Sequence, residues 1–192
     1  DIGFSNINPV IHVPASVLGV SAMENWSCIY GKEPGTYSLY SHGLCPSICR
    51  IQYQFYEEER AIARAISIQI PAYRYESFFS RRSILTQEYM GTDADGKDNV
   101  VFPLDRPCDE GNVGPDSIDH RYITEDIPVG CKIYHDLGVK FGVPTPIIDS
   151  MIVLGGAIHE TNYFETSKYT LDYLGIGDMG RKELLEYLYN GK

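Results

Sequence analysis

Pro46-Ser47-Ile48-Cys49-Arg50-Ile51-Gln52-Tyr53-Gln54-Phe55-Tyr56-Glu57-Glu58-Glu59-Arg60-Ala61-Ile62-Ala63-Arg64-Ala65-Ile66-Ser67-Ile68 decides the fold class of this chain. A proline is tolerated in the first turn of a helix, where its missing N–H has no partner to lose. Ile48, Ile51, Phe55, Ile62 and Ile66 then fall on one side of the helix, with Glu57 facing Arg60 on the other. The spacing predicts a long, half-buried helix over 46–68.

On either side the same period returns. Residues 14–24 read as a helix opened by Pro14 and carrying Val17, Leu18 and Met23, which places His12 just before it. The Gly-, Tyr- and Ser-rich interval 31–43 reads as loop or short hairpin. A second helix is expected over 71–90, with Tyr75, Phe78, Phe79, Ile84 and Leu85 as its apolar residues. From 91 to 118 the composition turns to Gly, Asp, Pro and Asn, with a turn at Asp95-Gly96 and one strand-like fragment, Val100-Val101-Phe102. Asp93, Asp95 and Asp98 there do not match the spacing of an EF-hand calcium loop and read as a solvated turn. Further helices are expected over 128–141, ended by Gly142, and over 146–159, where Thr145 precedes Pro146 as an N-cap. The latter, apolar almost all round through Ile147, Ile148, Met151, Ile152, Val153 and Leu154, reads as the central buried element. Two short helices close the chain, around 171–174 and 182–189.

The fold class is therefore mainly α, about seven helices with at most one short hairpin. The 192 residues suit one domain, 1–192. A formal net charge of -10, with no basic cluster longer than Arg81-Arg82, opposes binding to nucleic acid or to anionic membranes. No apolar run approaches the length needed to cross a bilayer, and no signal-peptide pattern is read at the start of the sequence. Five scattered cysteines without a CxxC pair signal neither a disulfide framework nor a zinc site, and suit a reducing, cytoplasmic compartment. There is no GxGxxG, so this chain shows no dinucleotide-binding fold of its own, and no metal set is read from it.

Chemistry concentrates in Asn8-Pro9-Val10-Ile11-His12 and in Asp119-His120-Arg121-Tyr122-Ile123-Thr124-Glu125-Asp126-Ile127-Pro128. Histidine is the side chain whose ordinary pKa, roughly 6.5, lets it exchange protons near neutral pH. Asp126 or its neighbour Glu125 could orient such an imidazole, and Arg121 could form a bidentate fork on a carboxylate. Each has a bland role beside the chemical one: His12 as a helix cap, Asp126 as a carboxylate favoured at a helix start, Arg121 as a surface cation. His42, His135 and His159 read as core or surface histidines.

These two motifs, with Pro46-Ser47, Glu59-Arg60 and the later 137–146, resemble the carboxy-terminal helical domain of the octopine/nopaline (opine) dehydrogenases. The resemblance covers nearly the whole chain, with 91–115 the least alike, and Val13 stands where the family's pattern suggests proline. The resemblance implies a helical bundle-like domain similar to the 6-phosphogluconate dehydrogenase C-terminal-like fold. It implies the substrate-binding and catalytic part of an NAD(P)H-dependent oxidoreductase acting on CH–NH donors, which condenses an amino acid with a 2-oxo acid through an imine. By the same token His12 and Asp126 are catalytic and Arg121 binds substrate. The NAD or NADP cofactor would be bound mainly by an amino-terminal Rossmann domain absent from this sequence, so the domain alone is expected to be inactive. A non-catalytic interaction or dimerisation module, in which a homodimer is the partner, stays open beside this reading. So does the helical domain of another NAD(P)-dependent dehydrogenase, one acting on a hydroxy acid.

Overall fold

A computed structural model describes residues 6–78 and 113–191, and among them the fold is helical with no strand. An isolated bridge between Ser38 and Gly114 is the nearest approach to the expected hairpin. The helical turn Tyr75–Phe78 belongs to the helix expected over 71–90. The rest of that helix, the irregular excursion with its aspartates and Val100-Val101-Phe102 lie outside the described residues.

The centre of the molecule is α1, Asn8–Leu18, in which every residue from Pro9 to Val17 is buried. This corrects the expected boundary at Pro14. Pro9 already occupies the first turn, the Asn6 side chain accepts from the Asn8 amide at 3.2 Å, and Pro14 lies inside the helix. His12 is thus one turn into α1, with its side chain among the packed elements rather than before them. A short α2, Val20–Glu24, follows directly.

A π-helical turn, π1, spans Leu39–Gly43 in the interval read as loop. It is tied down locally: the Leu39 amide donates to Gly114 at 2.8 Å and the Ser38 amide to His42 Nδ1 at 2.9 Å. Gly43 lets the turn pack closely there, because a Cβ would meet the Tyr37 hydroxyl unless that side chain shifted.

The long helix α3, Pro46–Ala65, forms as its period predicts and buries Ile48, Phe55 and Ile62, together with the polar Gln52 and Glu59. Gln52 donates to the Ile11 carbonyl at 2.8 Å, fixing α3 against α1. After α4, Tyr75–Phe78, the described chain resumes at residue 113 and reaches α5, Arg121–Thr124. A second π-helix, π2, Asp126–Cys131, runs without a break into α6, Lys132–Phe141, so the helix read from residue 128 starts earlier and in a wider winding. Gly142 ends α6 in the left-handed conformation at φ 69°, as the sequence indicates.

The next helix, α7, Pro146–Ile158, departs from expectation. It buries Ile148, Met151, Ile152, Gly155 and Gly156 but leaves Val153 58% and Leu154 42% exposed, so α1, not α7, is the buried centre. Its first amides are satisfied across the fold by Glu58 of α3, whose carboxylate accepts from Ile147 and Ile148 at 2.8 and 3.0 Å. Thr145 holds the N-cap position, yet its hydroxyl donates to Asp149 at 2.9 Å. Burial pushes the Glu58 carboxyl up, and the two amides pull it partly back.

A helix not read from sequence, α8, Tyr163–Thr166, is capped by Asn162, whose side chain accepts from the Phe164 amide. Residues 171–175 make turns rather than the expected helix, ending at Gly175 with φ 72°. The last element is α9, Arg181–Asn190. α1 packs on α3, α5, π1, π2 and α7, so His12 sits where sequence-distant parts of the chain meet. Among the described residues no helix is long and apolar enough to cross a membrane.

Candidate functional site

His12 faces the junction of α5 and π2. Its Nδ1 lies 2.9 Å from Asp126 Oδ2, and the two side chains are 9% and 14% exposed. A carboxylate can only accept, so this contact places a proton on Nδ1 and leaves Nε2 for other partners. Nε2 lies 3.2 Å from the Tyr40 hydroxyl, carried by π1. The face of the imidazole is covered by Tyr122 of α5, with centroids 3.6 Å apart and planes 14° from parallel. Both ring nitrogens and one face of the ring are therefore in contact with named partners.

Local structure explains why Asp126 arrives there. Gly130 of π2 is seated on the Pro9 ring of α1, at a distance a Cβ would not allow, and Gly155 of α7 likewise gives way to Ile127. Two missing side chains let π2 lie against both neighbours, and the first residue of π2 then reaches into α1. Cys131, at the far end of π2, is fully buried, and burial first, then the Asp126 charge, push its thiol well up.

His120 caps α5, with Nδ1 accepting from the Tyr122 amide at 3.3 Å, and its ring meets Tyr122 edge-on at 4.4 Å. Burial, and after it the Arg121 charge, push the His120 imidazole down, which suits an acceptor nitrogen. Arg121 is exposed at the start of α5, one residue before the ring that covers His12. It does not share the burial of His12 and Asp126. Glu125, the competing carboxylate, is also exposed, and it is Asp126 that reaches the imidazole.

The other histidines have structural partners. His135 pairs with Asp149 at 2.8 Å across α6 and α7, and His159 bonds the Tyr163 hydroxyl and the Ile118 carbonyl.

The sequence profile of the NAD/NADP octopine/nopaline dehydrogenase alpha-helical domain matches residues 1–159. The chain belongs to that family. Among curated relatives of this opine dehydrogenase domain, the opine dehydrogenase of Arthrobacter sp. (strain 1C) is 25% identical over 179 residues, covering 91% of this chain and 43% of the relative. Solved structures of octopine dehydrogenase are similar to it as well. The complex with NADH and L-arginine aligns at 19% identity and a TM-score of 0.50 over 100% of this chain and 48% of that one. The complex with NADH and pyruvate aligns at 18% identity and a TM-score of 0.47, over 91% and 47%. These structural likenesses bear on the fold alone, and the chain spans less than half the length of the relatives it matches.

For an opine dehydrogenase domain, Tyr40, Tyr122 and His120 are the site neighbours that sequence reasoning passed over. Tyr122 and His120 lie inside the quoted motif, beside Arg121, and adjacency to a nominated residue was their signal. Tyr40 had none, because one tyrosine of fifteen in a Tyr-rich stretch is not distinguished by spacing.

Proposed function

We propose that this chain is the substrate-binding and catalytic domain of an NAD(P)H-dependent opine dehydrogenase, condensing an amino acid with a 2-oxo acid and reducing the imine. The observation that carries the reading is the buried contact of His12 Nδ1 with Asp126 Oδ2 at 2.9 Å, built from the two motifs that resemble the family. Asp126 fixes the imidazole in one tautomer and one orientation, so that Nε2 is the nitrogen available for proton exchange. His12 takes a proton from the amino group so that its lone pair can attack the oxo carbon. It returns one as the carbinolamine loses water. Arg121, exposed where α5 begins, is the group to fork onto the substrate carboxylate and orient the trigonal carbon.

The described residues contain no strand and Gly-rich turn that would cradle a dinucleotide, so no step is assigned to the cofactor through this chain's residues. When bound, NADH or NADPH supplies the hydride. The nucleotide-binding part belongs to the remaining length of such enzymes, and a Rossmann domain is the partner proposed for this one.

Changing His12→Ala in the full-length protein is expected to lower kcat for reductive condensation by about 100-fold or more while the Kd for NAD(P)H stays within about 3-fold. Undiminished turnover rules out the role assigned to His12. Requirement for an amine co-substrate, measured in the same assay, separates this reading from a hydroxy-acid dehydrogenase.

A further inference from the structure

We propose that the cavity between α6 and α9 is a binding site for a small neutral molecule with an apolar body and one O–H or N–H donor, such as a phenol or an indole. His12 and Asp126 do not line it, and its ligand does not depend on the opine dehydrogenase reading. The cavity arises from the way α9 meets the rest of the fold. Among the described residues of α9, Leu184 alone is buried, and Leu188, a turn later, is 50% exposed. The segment before the helix is tied to α6 where Lys140 donates to the Gly177 carbonyl. At the start of α9 the Gly180 amide donates to the Glu183 carboxylate at 3.0 Å, so that turn is closed on itself rather than on a neighbour. Moored by one side chain, α9 stands off α6 and leaves a space of about 440 Å³.

Its apolar walls include Ile66 after α3, Ile133 and Leu137 of α6, and Ile176, with Leu184 and Leu188 on the α9 side. Ile66, Leu137 and Leu184 are already buried, so these walls need little ordering when a ligand enters. Among the described residues that line the cavity none carries a charge. A carboxylate, phosphate or ammonium would lose its water there without a counter-charge, which excludes charged ligands. The volume falls within the roughly 300–1,000 Å³ of small-molecule sites. A helix about 10 Å across displaces roughly 800 Å³ in two turns, so a helical peptide does not fit.

Two polar residues, Tyr134 and Asn6, set the chemistry of the ligand's polar end. The Tyr134 hydroxyl has one proton and donates it to Glu59 Oε1 at 3.1 Å. It approaches the Asn6 carbonyl only at 3.4 Å. That is beyond the usual span of an O–H···O bond, about 2.5–3.0 Å. An occupant that brings its own O–H or N–H to this carbonyl supplies the stronger donor, whereas one with acceptors alone would set oxygen against oxygen. Asn6 is exposed, so the polar end of the ligand lies at the rim and its apolar body within.

The test titrates the full-length protein by calorimetry with p-cresol, 4-methylanisole and p-toluate. The three share a methylphenyl body and carry a donor, no donor and a charge, in that order. p-Cresol is expected to bind at one site with a Kd on the order of 0.1–1 mM, and the other two at least about 10-fold more weakly. Ile133→Phe, which fills the cavity, and Leu188→Trp, which closes its exposed side, should each weaken p-cresol by about 10-fold or more. Should Ile133→Phe not fold, Leu188→Trp decides, because Leu188 is half exposed and its replacement leaves the core untouched. Absence of saturable p-cresol binding up to about 10 mM overturns the proposal. So does an affinity unchanged in Leu188→Trp, or 4-methylanisole or p-toluate binding as tightly as p-cresol.

Discussion

Glu59 is 1% exposed on α3, and burial pushes its carboxyl up from the ordinary 4.5 to about 8, with the Tyr134 hydroxyl, donated to it at 3.1 Å, pulling partly back. The folded protein therefore holds a proton on Glu59 that the unfolded chain releases above about pH 4.5. Stability falls as pH rises between 4.5 and about 8, because in that window the native state binds more protons than the unfolded one. Glu59→Gln keeps the shape and accepts the same hydroxyl without that proton. Urea titrations at pH 5 and 9 are expected to show Glu59→Gln gaining on the wild type at the higher pH by on the order of 1–3 kcal/mol. An equal difference at both pH values contradicts the account. At Asp126, replacement by Asn keeps the size but offers an N–H toward Nδ1, which favours the other tautomer. Asp126→Asn is expected to lower kcat by about 100-fold or more, and an unaltered kcat contradicts the tautomer argument. The motifs named His12 and Asp126, which the fold brings together, and Arg121, which stays exposed, but they carried no sign of Tyr40 beside the imidazole or of the burial of Glu59. Those depend on which distant segments cover a side chain, and no local period carries that information.

Gly130 shows how an element delivers a residue. π2 lies on the Pro9 ring because Gly130 has no side chain, and a proline ring cannot swing away as a flexible side chain would. Gly130→Ala is expected to cost about 1–3 kcal/mol of stability and, by lifting π2 from α1, to reduce kcat as well. Thermal unfolding and turnover on one preparation check both, and loss of neither contradicts the seating. The helix periods of α3 and α6, and the glycine that ends α6, were legible because apolar spacing and left-handed backbone are local properties. The start of α1 was not. Pro9 and Pro14 both carry the same N-terminal signal, and the packing of the whole segment against α3, α5, π1, π2 and α7 outweighs the amide that Pro14 lacks inside the helix. α7 misled for the opposite reason. Its run of apolar residues has no polar face to mark exposure, yet Gly155 and Gly156 set the side that packs and leave Val153 and Leu154 outward.

At the scale of the described chain, α3, α5, π1, π2 and α7 converge on α1, and the helical fold class was readable from period alone while this convergence was not. The chain spans 43% of its opine dehydrogenase relative, and nothing in its described helices cradles a dinucleotide. Titrating the isolated chain with NADH, followed by nucleotide fluorescence, is expected to show no binding tighter than about 1 mM, since a helical surface of net charge -10 repels the pyrophosphate. Micromolar binding contradicts this division of labour. The central claim is that His12 and Asp126 act as one proton-handling unit, and a double-mutant cycle on kcat of the full-length protein tests it most directly. If they do, His12→Ala with Asp126→Asn should be no slower than His12→Ala alone, within about 3-fold. Losses that multiply contradict it.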